Sequence, residues 1–155
     1  MWGKDARPEK VNFCWPTEEL LSQMPANVTL KRLEFMKVRE DSLSFVCCTL
    51  SNGATSGPIE GEGVNSHASP KVIQFDPRRP IRSVVAFDNN SNNVCRLRFL
   101  DRTGNEIHSY NPNNDPKRGA MHEIHENEEL IGVYGVKGDN YKWFRNFGFI
   151  VKVRL

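Results

Sequence analysis

The strongest constraint in this chain is a pattern that returns three times. A strand candidate, a polar loop and a stronger strand candidate recur with a period of about 50 residues, opening near Leu30, Ile81 and Ile131. Inside the units, Leu33 and Phe45, Val85 and Phe99, and Val133 and Phe149 hold similar places. Leu43–Leu50 is rich in β-formers and closes on Ser51-Asn52-Gly53, a turn sequence. Val94–Leu100 alternates apolar and polar residues, as a half-buried strand must, and ends at Asp101-Arg102-Thr103-Gly104. Each unit supplies one wall to a shared core. The pattern therefore predicts an all-β domain of three pseudo-repeated sheet units, with an irregular β-sandwich as the alternative.

The connections are legible by composition. Residues 53–70 carry four Gly, three Ser and two Pro and read as a long surface loop or open hairpin. Asp88–Asn93 is a turn segment, and Asn111–Gly119 a second polar loop. A length of 155 residues fits one domain. The boundaries expected are an arm over 1–27 and a β domain over 28–155.

Within the arm, Thr17–Met24 is the one good helix candidate. Pro16 precedes a Thr cap, Glu18 and Glu19 fill the first turn, and Pro25 ends it. Trp2, Phe13 and Trp15 give the arm apolar anchors. They either cover the open side of the domain or dock on a protein partner.

Several function classes recede on composition. A net charge of +2 argues against a dominant nucleic-acid footprint. No apolar run reaches the ~18–20 residues that span a bilayer, and Met1–Lys10 is polar and charged, unlike a signal peptide. Cys14, Cys47, Cys48 and Cys95 lack metal-ligand spacing, and free thiols in an intracellular compartment are the expectation. No nucleophile elbow, His-linked Cys motif or phosphate-cradling Gly loop occurs, so no catalytic residue and no cofactor is assigned. His122 and His125 stand among Glu123, Glu126, Glu128 and Glu129. On a strand the two rings point to opposite faces and cannot share an ion, so the cluster reads as a solvated acidic approach to a strand.

The third unit carries a resemblance. Glu128–Gly138, then Tyr141, then Phe147-Gly148-Phe149-Ile150-Val151, is similar to the last hairpin of jacalin-related lectins. That resemblance implies a β-prism of three Greek-key sheets. It also implies a sugar site in the last hairpin loop, where a Gly-x-x-x-Asp motif offers a carboxylate to sugar hydroxyls beside backbone N–H groups. Gly135-Val136-Lys137-Gly138-Asp139 fits the letters, whereas counting from Gly138 ends on Lys142. Lys142–Asn146 reads as an insertion before the final strand. The candidate glycan or partner loop is therefore Gly135, Gly138, Asp139, Asn140, Tyr141, Lys142 and Trp143.

Basic and aromatic residues interleave near the end of the chain: Lys137, Lys142, Arg145, Lys152 and Arg154 with Trp143, Phe144 and Phe147. An exposed strand with snorkelling cations is the plainest account. The leading functional expectation is a non-catalytic protein–protein module, an accessory subunit of an intracellular assembly held through Trp2, Phe13 and Trp15. The alternative is a jacalin-like lectin that binds a glycan through the last hairpin loop.

Overall fold

The structure, a computed structural model, describes residues 13–38, 42–60, 71–88, 94–110, 118–138 and 141–154. Three antiparallel sheets form the walls of a prism around one core. The second wall holds β2 (Leu30–Val38), β3 (Ser42–Leu50), β4 (Ile59–Glu60) and β5 (Lys71–Gln74), in the order β4-β3-β2-β5. The third holds β6 (Ser83–Asp88), β7 (Val94–Leu100), β8 (Glu106–Tyr110) and β9 (Arg118–Glu123), in the order β8-β7-β6-β9. The first wall joins β1 (Phe13–Trp15) to β10 (Glu128–Gly138) and β11 (Tyr141–Val153), in the order β1-β10-β11. The three-unit β architecture is the one the sequence pattern predicts.

A central hairpin anchors each wall: β2–β3, β6–β7 and β10–β11. Inward positions meet along the prism axis, where Leu33, Phe35, Ile73, Leu97, Phe99, Ile131 and Phe147 are fully buried. Aromatic rings connect the walls. Phe35 lies 6.4 Å from Phe99, Phe99 lies 5.6 Å from Phe149, and Phe149 lies 5.4 Å from Phe147. Edge-to-face and offset arrangements of this kind add to the burial itself.

The units match in architecture, and their similar places are only approximate. Val133 pairs with Phe149, whereas Phe99 pairs with Val84 and Leu33 with Cys48. Register shifts between Leu30 and Arg32 and between Met36 and Lys37 displace β2 against β3. One extra residue is enough to exchange faces, because side chains alternate with period two.

Other differences lie at sheet edges. The Gly-rich stretch contains β4, whose Ile59 is buried opposite Val46. β8 and β9 are polar in sequence and flank β7 and β6 as edge strands; β9 is exposed from Gly119 to Glu123, and β8 is buried only at Tyr110. Edge strands carry little apolar alternation, so composition disguises them. The helix α1 (Glu18–Ser22) follows Thr17, whose Oγ1 accepts the Leu20 N–H at 3.1 Å. That bond satisfies one of the donors a helix N-terminus leaves open.

Candidate functional site

The two ends of the prism differ. The open ends of the central hairpins surround one cavity: Leu30 and Ser51 from the second wall, Ile81 and Arg82 before β6, and Glu128 with Arg154 from the first. The closed ends, Val38/Ser42, Asp88/Val94 and Gly138/Tyr141, point away from it. The last hairpin loop singled out in the sequence belongs to that closed end.

Gly138 pairs with Tyr141, which makes this hairpin tight. The expected insertion is not a loop. β11 begins at Tyr141, so Lys142–Asn146 is strand. The extra residues enter as bulges: β10 advances from Tyr134 to Gly138 while its partners run from Gly148 back to Tyr141. Phe144 and Phe147 would fall on opposite faces of a regular strand. Here both are fully buried, and their rings stack at 5.9 Å with 13° between planes. Asp139 and Asn140 lie outside the described residues. Of Tyr141, Lys142 and Trp143 the structure gives the strand backbone.

Gly135 sits within β10, opposite Phe13, not in the turn. A Cβ there would stand 2.8 Å from the Phe13 ring. Gly132 is tighter: a Cβ would lie 2.0 Å from the Trp15 carbonyl oxygen. A third close approach occurs at Gly148, against the Tyr134 ring at 2.5 Å. The glycines of the lectin-like hairpin thus let the backbone of β1 and the Tyr134 ring press onto it. Burial pushes the Tyr134 hydroxyl above its ordinary range.

Phe13 and Trp15, the expected partner anchors, pack against the chain's own core. Phe13 meets Phe144 at 5.0 Å. Trp2 lies outside the described residues. Cys14, between the two anchors, is exposed, and partial burial followed by the Glu18 charge raises its thiol.

Lys152 ties the first wall to the turn before β2. Its Nζ donates to the Ala26 carbonyl at 2.7 Å and to the Val28 carbonyl, and it pairs with Glu129 at 3.2 Å. The Arg154 side chain donates to the Glu126 carbonyl. These two cations of the basic stretch therefore brace the open end. His125 caps the turn into β10 by donating its backbone N–H to Glu128 Oε1 at 3.0 Å, while His122 lies on β9. Among the described residues no group of three His, Cys, Asp or Glu is close enough to hold a metal. No helix of the described residues is long and apolar enough to cross a membrane.

Around the open end, carboxylates are held ionised by neighbours. Arg78 donates to Asp76 from Nε and Nη2 and keeps its carboxyl below the usual range. Asp101 is lowered first by the Thr103 hydroxyl at 2.8 Å, then by the backbone N–H groups of Asn105 and Thr103. His108, edge-on to Phe75 at 6.0 Å, is pushed down by burial. The sequence reading missed this end. The signal available to it was the clustering of Asp76, Arg78 and Arg79 with Pro77 and Pro80 between two strands.

Neither a protein-family model nor a curated protein sequence matches the chain. Solved structures do. The prostate-specific WGA16 glycoprotein lectin superposes with a TM-score of 0.63 at 12% identity, covering 84% of this chain and 87% of its own. Jacalin, in its complex with melibiose (Gal-α(1-6)-Glc), gives 0.62 at 16%, covering 81% and 92%. The lectin MPA, complexed with T-antigen disaccharide, gives 0.62 at 16% with the same coverage. At such identities the likeness is one of fold, and fold alone does not fix function. Three sheet units, their central hairpins and these neighbours together establish that this chain has the jacalin-related, lectin-like β-prism fold.

Proposed function

We propose that this chain is a non-catalytic carbohydrate-binding module that engages its glycan at the closed end of the β10–β11 hairpin. The observation that carries the reading is the superposition of more than four-fifths of the chain on lectins solved with melibiose or with T-antigen disaccharide. The packing of Phe13 and Trp15 adds support, since their rings serve the chain's own core. That favours the lectin alternative over an accessory subunit held through the arm.

The chemistry assigned to the hairpin is simple. Asp139 offers carboxylate oxygens to sugar hydroxyls, and charge-assisted hydrogen bonds of that kind are among the strong ones. Asn140 adds an amide, and Tyr141 or Trp143 an aromatic face for the C–H side of a pyranose. Lys142 contributes donors. Gly135 and Gly138 shape the strand that carries them.

A glycan array probed with the full chain, followed by calorimetry on the best ligand, tests the proposal. Asp139→Ala should weaken binding at least about tenfold, the loss expected when a charged hydrogen-bonding group is removed. Phe13→Leu, which keeps an apolar side chain in the core, should leave affinity within about twofold. An array blank at millimolar glycan, or an Asp139→Ala protein that binds as wild type does, would overturn the reading.

A further inference from the structure

The cavity at the open end is separate from the hairpin just assigned. It measures about 680 Å³, within the range of small-molecule sites. All three walls contribute to it. Its floor is apolar, with Leu30, Ile81 and Leu130 buried beneath it and the half-buried Phe75 at one side.

Its rim is charged, and the two signs are not equally satisfied. Among the described residues three carboxylates line it, and each already has a donor. Asp76 takes Arg78, which stands outside the cavity, at 3.2 Å. Glu129 takes Lys152 at 3.2 Å, also outside it. Glu128 accepts the His125 N–H. The four cations are less well matched. Arg79 reaches Asp101 only at 3.5 Å and is mostly exposed. Arg154 and Arg82 donate to backbone carbonyls, which carry no charge to cancel theirs. Arg82 Nη1 meets the His125 and Glu128 carbonyls at a long 3.4 Å. Its Nε is buried without an acceptor among the described residues, a costly state for a charged donor. Lys31, exposed, has no ion pair among the described residues.

From this imbalance we propose that the open-end cavity is a second ligand site, which takes the carboxylate of a uronic-acid sugar against Arg82, Arg79 and Lys31. Guanidinium forks match a planar carboxylate, and the Phe75, Pro77 and Pro80 wall suits the apolar face of the ring. The sugar body rests on the carbohydrate reading. The anion preference rests on the cavity alone.

The test is a heteronuclear NMR titration of the full chain with glucuronate, methyl glucoside and sodium sulfate as separate probes. Glucuronate should shift the amides of Lys31, Phe75, Ile81 and Leu130 saturably. The exposed pair Lys31→Gln with Arg79→Gln should weaken it at least about tenfold without unfolding the protein. Arg82→Lys, which keeps the charge but loses the fork, should weaken it less. Silence at these amides, or equal binding by the double variant, overturns the site. A glucoside that shifts them equally removes the anion preference, and sulfate that matches glucuronate removes the sugar. Asp139→Ala should leave this titration unchanged. A positive titration beside glycan binding that survives Asp139→Ala therefore sinks the hairpin assignment alone, and a silent titration beside glycan binding lost in Asp139→Ala sinks this one alone.

Discussion

The β6–β7 and β10–β11 hairpins do the same architectural job by different means. β6 and β7 run in continuous register from Ser83/Leu100 to Phe87/Arg96, with one shift next to the closed end. β10 and β11 shift register three times. In β7 the regular pairing keeps Leu97 and Phe99 buried while Arg96 and Arg98, which alternate with them, stay half out, as an even pleat requires. In β11 the bulges turn Phe144, Phe147 and Phe149 all inward, and Gly148 between the last two admits the Tyr134 ring. The regular hairpin tolerates change on its outer face. The bulged one has given the free edge of β10 to β1.

The sharpest way to break this contrast is Phe144→Ala. The ring is fully buried and owes its inward position to a bulge, and its loss should cost about 4 kcal/mol in chemical denaturation. A cost under about 1 kcal/mol would show that β11 can slip its register and refill the space. Next comes Gly132→Ala. The new methyl meets the Trp15 carbonyl, a backbone atom that cannot rotate away, so β1 must lift off. A cost of about 3 kcal/mol, the upper range for overpacking, is expected. Loss of amide protection should be confined to β1 and β10. Protection lost equally in β6 would mean that the walls do not respond separately.

The β2–β3 hairpin supplies a titration. Burial, and then the neighbouring Cys47, push the Cys48 thiol up to about 12. The folded chain then holds a proton that the unfolded chain releases near its ordinary value. Stability from this group is complete below about pH 9 and falls as pH rises toward 12, by up to about 1.4 kcal/mol per unit. Cys48→Ala should flatten that alkaline slope whatever it does to stability at neutral pH. An unchanged slope would assign the alkaline loss to other groups. The smallest effect belongs to the outer face of the regular hairpin. Arg98 pairs with Glu106 at 2.7 Å with both side chains about a third exposed, so Arg98→Ala should cost about 0.5 kcal/mol or less. A double-mutant cycle with Glu106→Ala gives the coupling directly.

How much was legible follows the same division. Val94–Leu100 could be placed to the residue because regular pairing writes itself as alternation. Phe144 could not, since a bulge breaks the period that a reader counts, and Lys142–Asn146 therefore passed for a loop. β1 is three residues long and meaningful only opposite Val133–Gly135, which no local window contains. The glycines of the last hairpin were visible as a lectin-like motif, but their task in admitting Trp15, Phe13 and Tyr134 was not. The open-end cavity escaped notice because Lys31, Arg79, Arg82, Glu128 and Arg154 are scattered along the chain and meet only in the fold.

The pairing of β1 with β10 has a temporal side. Phe13 and Gly135, partners in the sheet, are separated by roughly 120 residues, a contact that slows folding through the loop that must close. At ~5–20 residues per second, synthesis leaves Phe13 and Trp15 without their partner strand for roughly 6–24 s. During that interval the second and third walls can pair within themselves, while two aromatic side chains wait in solvent. The first wall is thus the one whose strands are furthest apart in the chain, and it can close only after β10 and β11 have been made.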